Sequence, residues 1–213
     1  MNPADYDAWY DTPRGRWVGE TEYALAAHLL AAQPGDSLLD VGCGTGWFSR
    51  RAAADGLVTT GLDPNAAWLD YARAHSSPAL NWVEGDARAL PFADASFDHV
   101  LSIAALCFVD DERQAVAEAV RVARRGFAIG WLNRSSLLYR DKGRHGGSGA
   151  YRGARWHTAR EVRELFSGLP VRRLTLRSAI FQPSAACWAR WLERGMPSVL
   201  PWGGLLLASG EKD

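Results

Sequence analysis

The sequence carries no surplus of either charge: 24 lysines and arginines meet 24 aspartates and glutamates across 213 residues. Such a balance gives no overall pull toward the polyanionic backbone of nucleic acid. Cysteine is scarce, with Cys43, Cys107 and Cys187 far apart and no CxxC pair. An odd, scattered set argues against a disulfide framework or a zinc site and fits a reducing cytoplasm. The five histidines lack metal-ligand spacing, so no metal is expected. Crossing a bilayer takes about 20 apolar residues. The longest apolar run, around Val100 to Val109, is far shorter and contains Ser102. The opening MNPADYDAWYDTPRGRW has no apolar core of the secretory kind. Neither a nucleic-acid nor a membrane partner is expected.

The remaining composition, 47% hydrophobic and 23% charged, is that of a globular chain able to bury one sizeable core. A single domain over 1–213 is the expectation. Ten tryptophans are many for this length, and most are expected to fill the core.

Short apolar runs alternate with helical patterns. Strands are expected at Ser37–Val41, Val58–Leu62, Leu80–Glu84, Phe97–Ile103, Phe127–Leu132, Val171–Phe181 and Gly204–Ser209. Helices are expected at Glu20–Ala32, Gly46–Asp55, Asn65–His75, about 110–124, Thr158–Phe166 and Ala185–Arg194. Pro64 sits where a helix start tolerates a missing N–H. Thr158 and Glu161 have capping-box spacing. Asp110, Asp111 and Glu112 stand at one helix start, with Arg121, Arg124 and Arg125 at its other end, as the helix dipole favours. This alternation implies βαβ units and a parallel sheet with helices on both faces. The glycine-rich stretch within Arg134–Arg155 is either a plain surface loop or an ordered lid.

The first strand runs into LLDVGCGTGWFSR, with Asp40, Gly42, Gly44 and Gly46 at its end. A glycine turn between a strand and a helix offers backbone N–H groups and the positive helix end to an anion. The dinucleotide pattern wants a third glycine where this chain has Trp47, an indole too large for close pyrophosphate approach. Asp63 follows the second strand, twenty-one residues after Gly42, where an acid can accept from ribose hydroxyls. The third strand ends in Glu84-Gly85-Asp86-Ala87, a carboxylate beside an N–H that suits an adenine edge. Trp47 and this last turn count against a nicotinamide-dependent dehydrogenase.

These segments, LLDVGCGTGWFS, GLDPNAAWLDYAR and EGDARALPFADASFDHVLS, resemble the class I S-adenosylmethionine-dependent methyltransferases, most closely the subgroup of the ubiquinone/menaquinone biosynthesis enzymes. The resemblance spans roughly Tyr23 to Leu132, with GLLLASG as the last strand. It implies an α/β fold: a doubly wound, mostly parallel, Rossmann-like sheet of seven strands whose last is antiparallel. It also implies S-adenosyl-L-methionine as cofactor. Asp40 and the turn Gly42, Cys43, Gly44 and Gly46 would face its methionine end, Asp63 with Pro64 the ribose, Asp86 and Ala87 the adenine. Ala104 would line the methionine side. In related proteins a Tyr/Trp-rich opening folds over the cofactor, which makes residues 1–19, with Tyr6, Trp9 and Tyr10, the expected cover.

Methyl transfer from a sulfonium needs donor and acceptor held in line and dry rather than a protein nucleophile. A base is needed only for a protonated acceptor, and His145, His157 and Tyr10 are the candidates. By topology, residues 134–156 and 182–203 should crowd the substrate side. An acceptor pocket of Tyr139, Tyr151, Trp156, Trp188 and Trp191 is expected, with Arg134, Arg144 or Arg152 near an acidic group. The expected function is methyl transfer to a small-molecule acceptor in the cytoplasm. The alternative is a catalytically silent protein that binds the cofactor as sensor or scaffold.

Overall fold

Neighbouring side chains of one strand point to opposite sides of a sheet, and the central strands here show it. Leu38, Leu101, Ala128, Leu205 and Leu207 belong to one buried cluster, with Tyr23, Ala26, Phe48 and Ala52. Leu39, Val100, Phe127, Ile129 and Leu206 belong to another, with Val116, Val120 and Val162. The structure, a computed structural model, describes residues 2–182, 184 and 186–212, without the Cys187 side chain. Its elements are α1 (Pro3–Asp11), α2 (Pro13–Leu30), β1 (Ser37–Val41), α3 (Trp47–Ala54), β2 (Val58–Asp63), α4 (Ala66–Ala74) and β3 (Asn81–Glu84). Then come β4 (Phe97–Ile103), α5 (Glu112–Val122), β5 (Ala123–Leu132), α6 (Ala159–Leu165), β6 (Val171–Ala179), α7 (Cys187–Gly195) and β7 (Leu205–Lys212).

The strands form one seven-stranded sheet in the order β3-β2-β1-β4-β5-β7-β6. β7 runs antiparallel to both its neighbours, and all other pairs are parallel. Helices α2 and α3 cover one face and α5 and α6 the other. This is the Rossmann-like methyltransferase fold that the resemblance implies. The chain winds outward from β1 in one direction and from β4 in the other. The crevice between their carboxyl ends is therefore the switch point where such sheets bind ligands.

Local chemistry explains the element ends. Asn2 accepts from Asp5 N–H at 2.7 Å and Thr12 from Gly15 N–H at 3.0 Å, so α1 and α2 are capped separately and the chain turns between them. The Thr158–Glu161 capping box has both of its arms. Three expectations shift. Asn65 caps α4, accepting from Ala67 N–H at 3.1 Å, so Pro64 lies one residue before the cap rather than just inside the helix. β5 starts at Ala123 rather than Phe127, because Arg124 pairs with the buried Asp98 and Arg125 with Asp36 at 2.9 Å. These two arginines thus staple the amino ends of central strands instead of closing a helix. The expected start of α7, Ala185, lies outside the described residues, as do Met1 and Pro183 of the expected cover and insertion.

Beyond β5 the chain makes an excursion that closes on itself. Asn133 pairs with His157, Arg134 N–H donates to His157 C=O at 2.8 Å, and the Arg134 guanidinium holds Trp156 C=O and Glu161. Short helical turns from Tyr139 to Tyr151 fill the span.

Candidate active site

The turn after β1 is tight because other chain segments lie against it. Gly42, Gly44 and Gly46 all have positive φ, at 74°, 56° and 80°. A Cβ on Gly42 would sit 2.4 Å from that of Ala105, and one on Gly46 2.4 Å from the Trp82 ring. The turns after β1 and β4 thus touch. Ala104, beside that contact, holds φ 50° while its N–H donates to Gly130 C=O at 2.9 Å. A non-glycine residue in this region is strained, and such residues gather at ligand sites.

Two carboxylates, Asp40 and Asp63, flank the turn, and a third, Asp86, follows β3. Asp40 is buried and accepts from Ser49 Oγ at 2.6 Å. Burial pushes its carboxyl up to about 7, the Ser49 hydrogen bond opposing and the nearby Asp63 charge adding. Asp63 accepts Gly44 N–H on one oxygen and Asn65 N–H on the other, each at 2.9 Å. Each oxygen keeps a lone pair for a hydroxyl. Burial raises its carboxyl too. Asp86 is gripped by Arg88, with Nη2 to Oδ2 at 2.6 Å and Nε to both oxygens at 3.0 Å. That grip holds the Asp86 carboxyl below its usual range. Cys43 is buried in the turn, and desolvation keeps its thiol far from ionising.

Helix α1 lies over this turn. Tyr10 is buried and stacks on Trp47 at 4.5 Å and 15°, and Tyr6 meets Tyr10 at 5.8 Å and Trp68 at 5.0 Å. Gly15 and Gly19 of α2 make room, since a Cβ on Gly19 would be 2.9 Å from the Tyr10 ring. Asp7 latches the helix to Arg50 at 2.7 Å. The backbone donors, the strain and an acid free to meet hydroxyls fit an adenosine-bearing, amino-acid-ended cofactor.

Residues 39–129 match the family model described as a methyltransferase domain. Residues 39–129 are thus a methyltransferase domain. The chain is 37% identical over 187 residues to an uncharacterised protein of Mycobacterium tuberculosis, covering 84% of this chain and 62% of that one. The chain therefore spans under two thirds of that relative's length. It is 44% identical over 100 residues to the malonyl-[acyl-carrier protein] O-methyltransferase of Erwinia pyrifoliae, covering 46% of this chain and 38% of the enzyme. A solved Thermotoga maritima protein, described as a SAM-dependent methyltransferase and possible histamine N-methyltransferase, shares the fold with a TM-score of 0.77 at 21% identity. That match covers 99% of this chain and 95% of the other.

The expected acceptor residues separate. Tyr139 and Tyr151 flank the buried Trp156 at 5.3 and 5.7 Å. Trp188 and Trp191 do not join them: they are 56% and 76% exposed, and it is Ala189 that α7 buries. An amphipathic helix buries one stripe only, and these indoles lie off it. His145 is exposed in the excursion. His157 is mostly buried, with Nε2 2.8 Å from Glu112, which also takes Arg155 at 2.5 Å. It lines an open cleft with Arg113, Arg134 and Tyr139 that contains none of Asp40, Asp63 or the glycine turn.

Sequence reasoning missed Glu22. It stands one helical turn beyond Val18 and Gly19 on α2, is partly buried and makes no hydrogen bond or ion pair among the described residues. Burial raises its carboxyl to about 8, with a smaller push from Glu193. Tyr6, Tyr10 and Tyr151 all feel its charge, and burial keeps each of their phenols neutral. A lone glutamate in a helix carries no sequence signal. The Gly15-xxx-Gly19 spacing just before it does mark a close approach.

Proposed function

We propose that this chain transfers a methyl group from S-adenosylmethionine to a small-molecule acceptor held between the α1–α2 cover and the excursion after β5. The observation that carries the reading is the aromatic cover on the glycine turn: Tyr10 stacks on Trp47 at 4.5 Å and Tyr6 meets Trp68 at 5.0 Å, beside Gly42, Gly44 and Gly46 with their positive φ. The cofactor supplies a methyl on a sulfonium that leaves as a neutral thioether. Asp63 would hold the ribose, the turn the methionine carboxylate, and Asp40 the ammonium side. Asp86 would reach the adenine from its Arg88 clamp, with Ala87 beside it. The chain's own task is then positioning and exclusion of water, which can be worth roughly 7–11 kcal/mol in favourable cases. Stacked Tyr10 and Trp47 supply aromatic faces suited to a sulfonium.

On this reading 1–213 works as one domain, in the cytoplasm, on neither nucleic acid nor membrane. No helix among the described residues is long and apolar enough to cross a membrane. The test is a panel of oxygen, nitrogen, carbon and sulfur acceptors with methyl-labelled cofactor, scored by mass for product. At least one acceptor class should gain a methyl group. Silence across the panel from protein that still binds cofactor would make it a binder instead.

A further inference from the structure

The cleft that His157 lines is a seam between two parts of the chain. Arg113 of α5 with Glu161, Glu164 and Leu165 of α6 forms one wall. Arg134, Tyr139, Gly143 and the run from Ala154 to His157, all of the excursion, form the other. The cleft measures about 600 Å³, room for a small organic molecule. None of the residues around the glycine turn reaches it.

The excursion wall is drawn tight. A Cβ on Gly143 would sit 2.2 Å from the Tyr139 ring and 2.8 Å from Trp156 Cε2, the carbon bonded to the indole nitrogen. Trp156 is 6% exposed, and its Nε1–H has no acceptor among the described residues. His157 spends Nε2 on Glu112 at 2.8 Å, and its buried Nδ1 has no partner either. An indole N–H can only donate, and leaving it buried and unpaired is costly. This wall gains when an acceptor enters the seam.

Charges at the seam are even, but hydrogen bonds are not. Arg134 pairs with Glu161, Arg155 with Glu112 and Arg160 with Glu164. Arg113 gives Nη1 to Glu164 C=O at 3.1 Å and Nη2 to Ser167 C=O at 2.5 Å, so it has backbone partners and no carboxylate. The remaining acid, Asp110, is 96% exposed and reaches Arg155 only at 4.0 Å. Water screens a charge placed like that. Each guanidinium carries five N–H donors. Those of Arg113, Arg134 and Arg155 spend only part of their sets on these partners. Glu161 has both oxygens taken by Arg134, and Glu112 has one on Arg155 and one on His157. The lining is therefore rich in donors and poor in free acceptors. An oxyanion supplies acceptors alone, in the geometry a guanidinium fork fits. Beside the arginines lie Leu165, Ala154 and the rings of Tyr139 and Trp156, the latter two 5.3 Å apart, which suit a flat apolar body.

We propose that this seam is a second ligand site, which takes an aromatic acid with its oxyanion among Arg113, Arg134 and Arg155 and its ring against Tyr139 and Leu165. The bound acid bridges the excursion to α5 and α6. It is not the methyl acceptor, because the cofactor turn lies outside the cleft.

The test titrates the full chain by calorimetry with benzoate, 1-naphthoate and phenyl phosphate against benzamide, 1-naphthamide and phenol. At least one acid should bind about tenfold or more tightly than its neutral counterpart. The better of carboxylate and phosphate then names the oxyanion. Arg113→Met and Arg155→Met should each lower that affinity at least about fivefold. Ala154→Phe keeps every arginine, fills the cleft and should abolish binding. Circular dichroism matching the parent's shows that each variant is folded. Hydrogen exchange needs no variant: the bound acid should slow exchange in 139–157 and 159–165 and leave 42–46 as it was. Absence of any preference for the acid overturns the inference. So does a preference that survives all three folded variants, or protection that falls on 42–46 instead. Methyl transfer from labelled cofactor to the bound acid, lost in Ala154→Phe, would make the cleft part of the acceptor site and overturn its separateness.

Discussion

Glu22→Gln should make the protein more stable at alkaline pH and leave it unchanged at acid pH. In the folded chain burial raises this carboxyl to about 8, against an ordinary 4.5. Folding therefore favours the protonated form. The stabilisation this provides is complete below about pH 4.5 and is lost as pH rises toward 8, because the unfolded chain ionises first. The slope approaches 1.4 kcal/mol per pH unit in that window. The full span would reach about 5 kcal/mol, and the solvent contact Glu22 retains cuts this to about 2–3 kcal/mol. Glutamine keeps the shape and removes the titration. Asp40 loses stability in the same direction as its raised carboxyl ionises, but equally in both proteins, so it cancels. Urea unfolding followed by tryptophan fluorescence at pH 5, 6.5 and 8 measures the difference. The gap in favour of the variant should open with pH, from under about 1 kcal/mol at pH 5 to about 2–3 kcal/mol at pH 8. Parallel stability curves would refute the burial and the absence of a partner at Glu22.

Asp63→Ala should weaken S-adenosylmethionine binding at least about tenfold by calorimetry, since it removes the hydroxyl acceptor and the anchor of Gly44 N–H; unchanged affinity would move the ribose elsewhere. Gly46→Ala should cost about 2–4 kcal/mol, because its Cβ would meet the Trp82 ring at 2.4 Å from a φ of 80°. A melting temperature within a degree of the parent would contradict that contact. Asp7→Ala unlatches α1 from Arg50 and should speed proteolysis before Thr12 in cofactor-free protein; an unchanged cleavage pattern would show that the aromatic stack alone holds the cover. Deleting 144–149 at the tip of the excursion should harm turnover more than cofactor affinity, and the reverse result would reduce that segment to a plain loop.

The half of the molecule around the glycine turn was legible because its constraints are local. Strands buried on both faces read as short apolar runs, and β1 and β4 fall where the sequence puts them, at Ser37–Val41 and Phe97–Ile103. The glycine turn announces a backbone conformation that other residues resist. The early start of β5 was hidden because Arg124 and Arg125 look like helix-end charges until Asp98 and Asp36 are known to lie beside them. Trp188 and Trp191 seemed pocket residues because their segment returns to the right rim, but rim membership does not say which way a helix is turned. Glu22 was invisible for the opposite reason. Its meaning comes from what surrounds it, and Tyr6, Val18, Glu193 and Tyr151 come from four separate stretches of chain.

Asn133 has a consequence for how such a chain can change. At the end of β5 its side chain donates to Pro201 C=O and Gly203 C=O at 2.9 and 2.7 Å, and its N–H donates to Gly204 C=O at 2.9 Å. Gly204 N–H in turn donates to Ile180 C=O at 2.9 Å. Both ends of the 180–204 stretch are thus fastened at one rim, away from the turns of β1, β2 and β4. Everything between those two fastenings behaves as a cassette. Splicing at Ile180 and Gly204 should therefore exchange that stretch for another chain's without disturbing the turns after β1, β2 and β4.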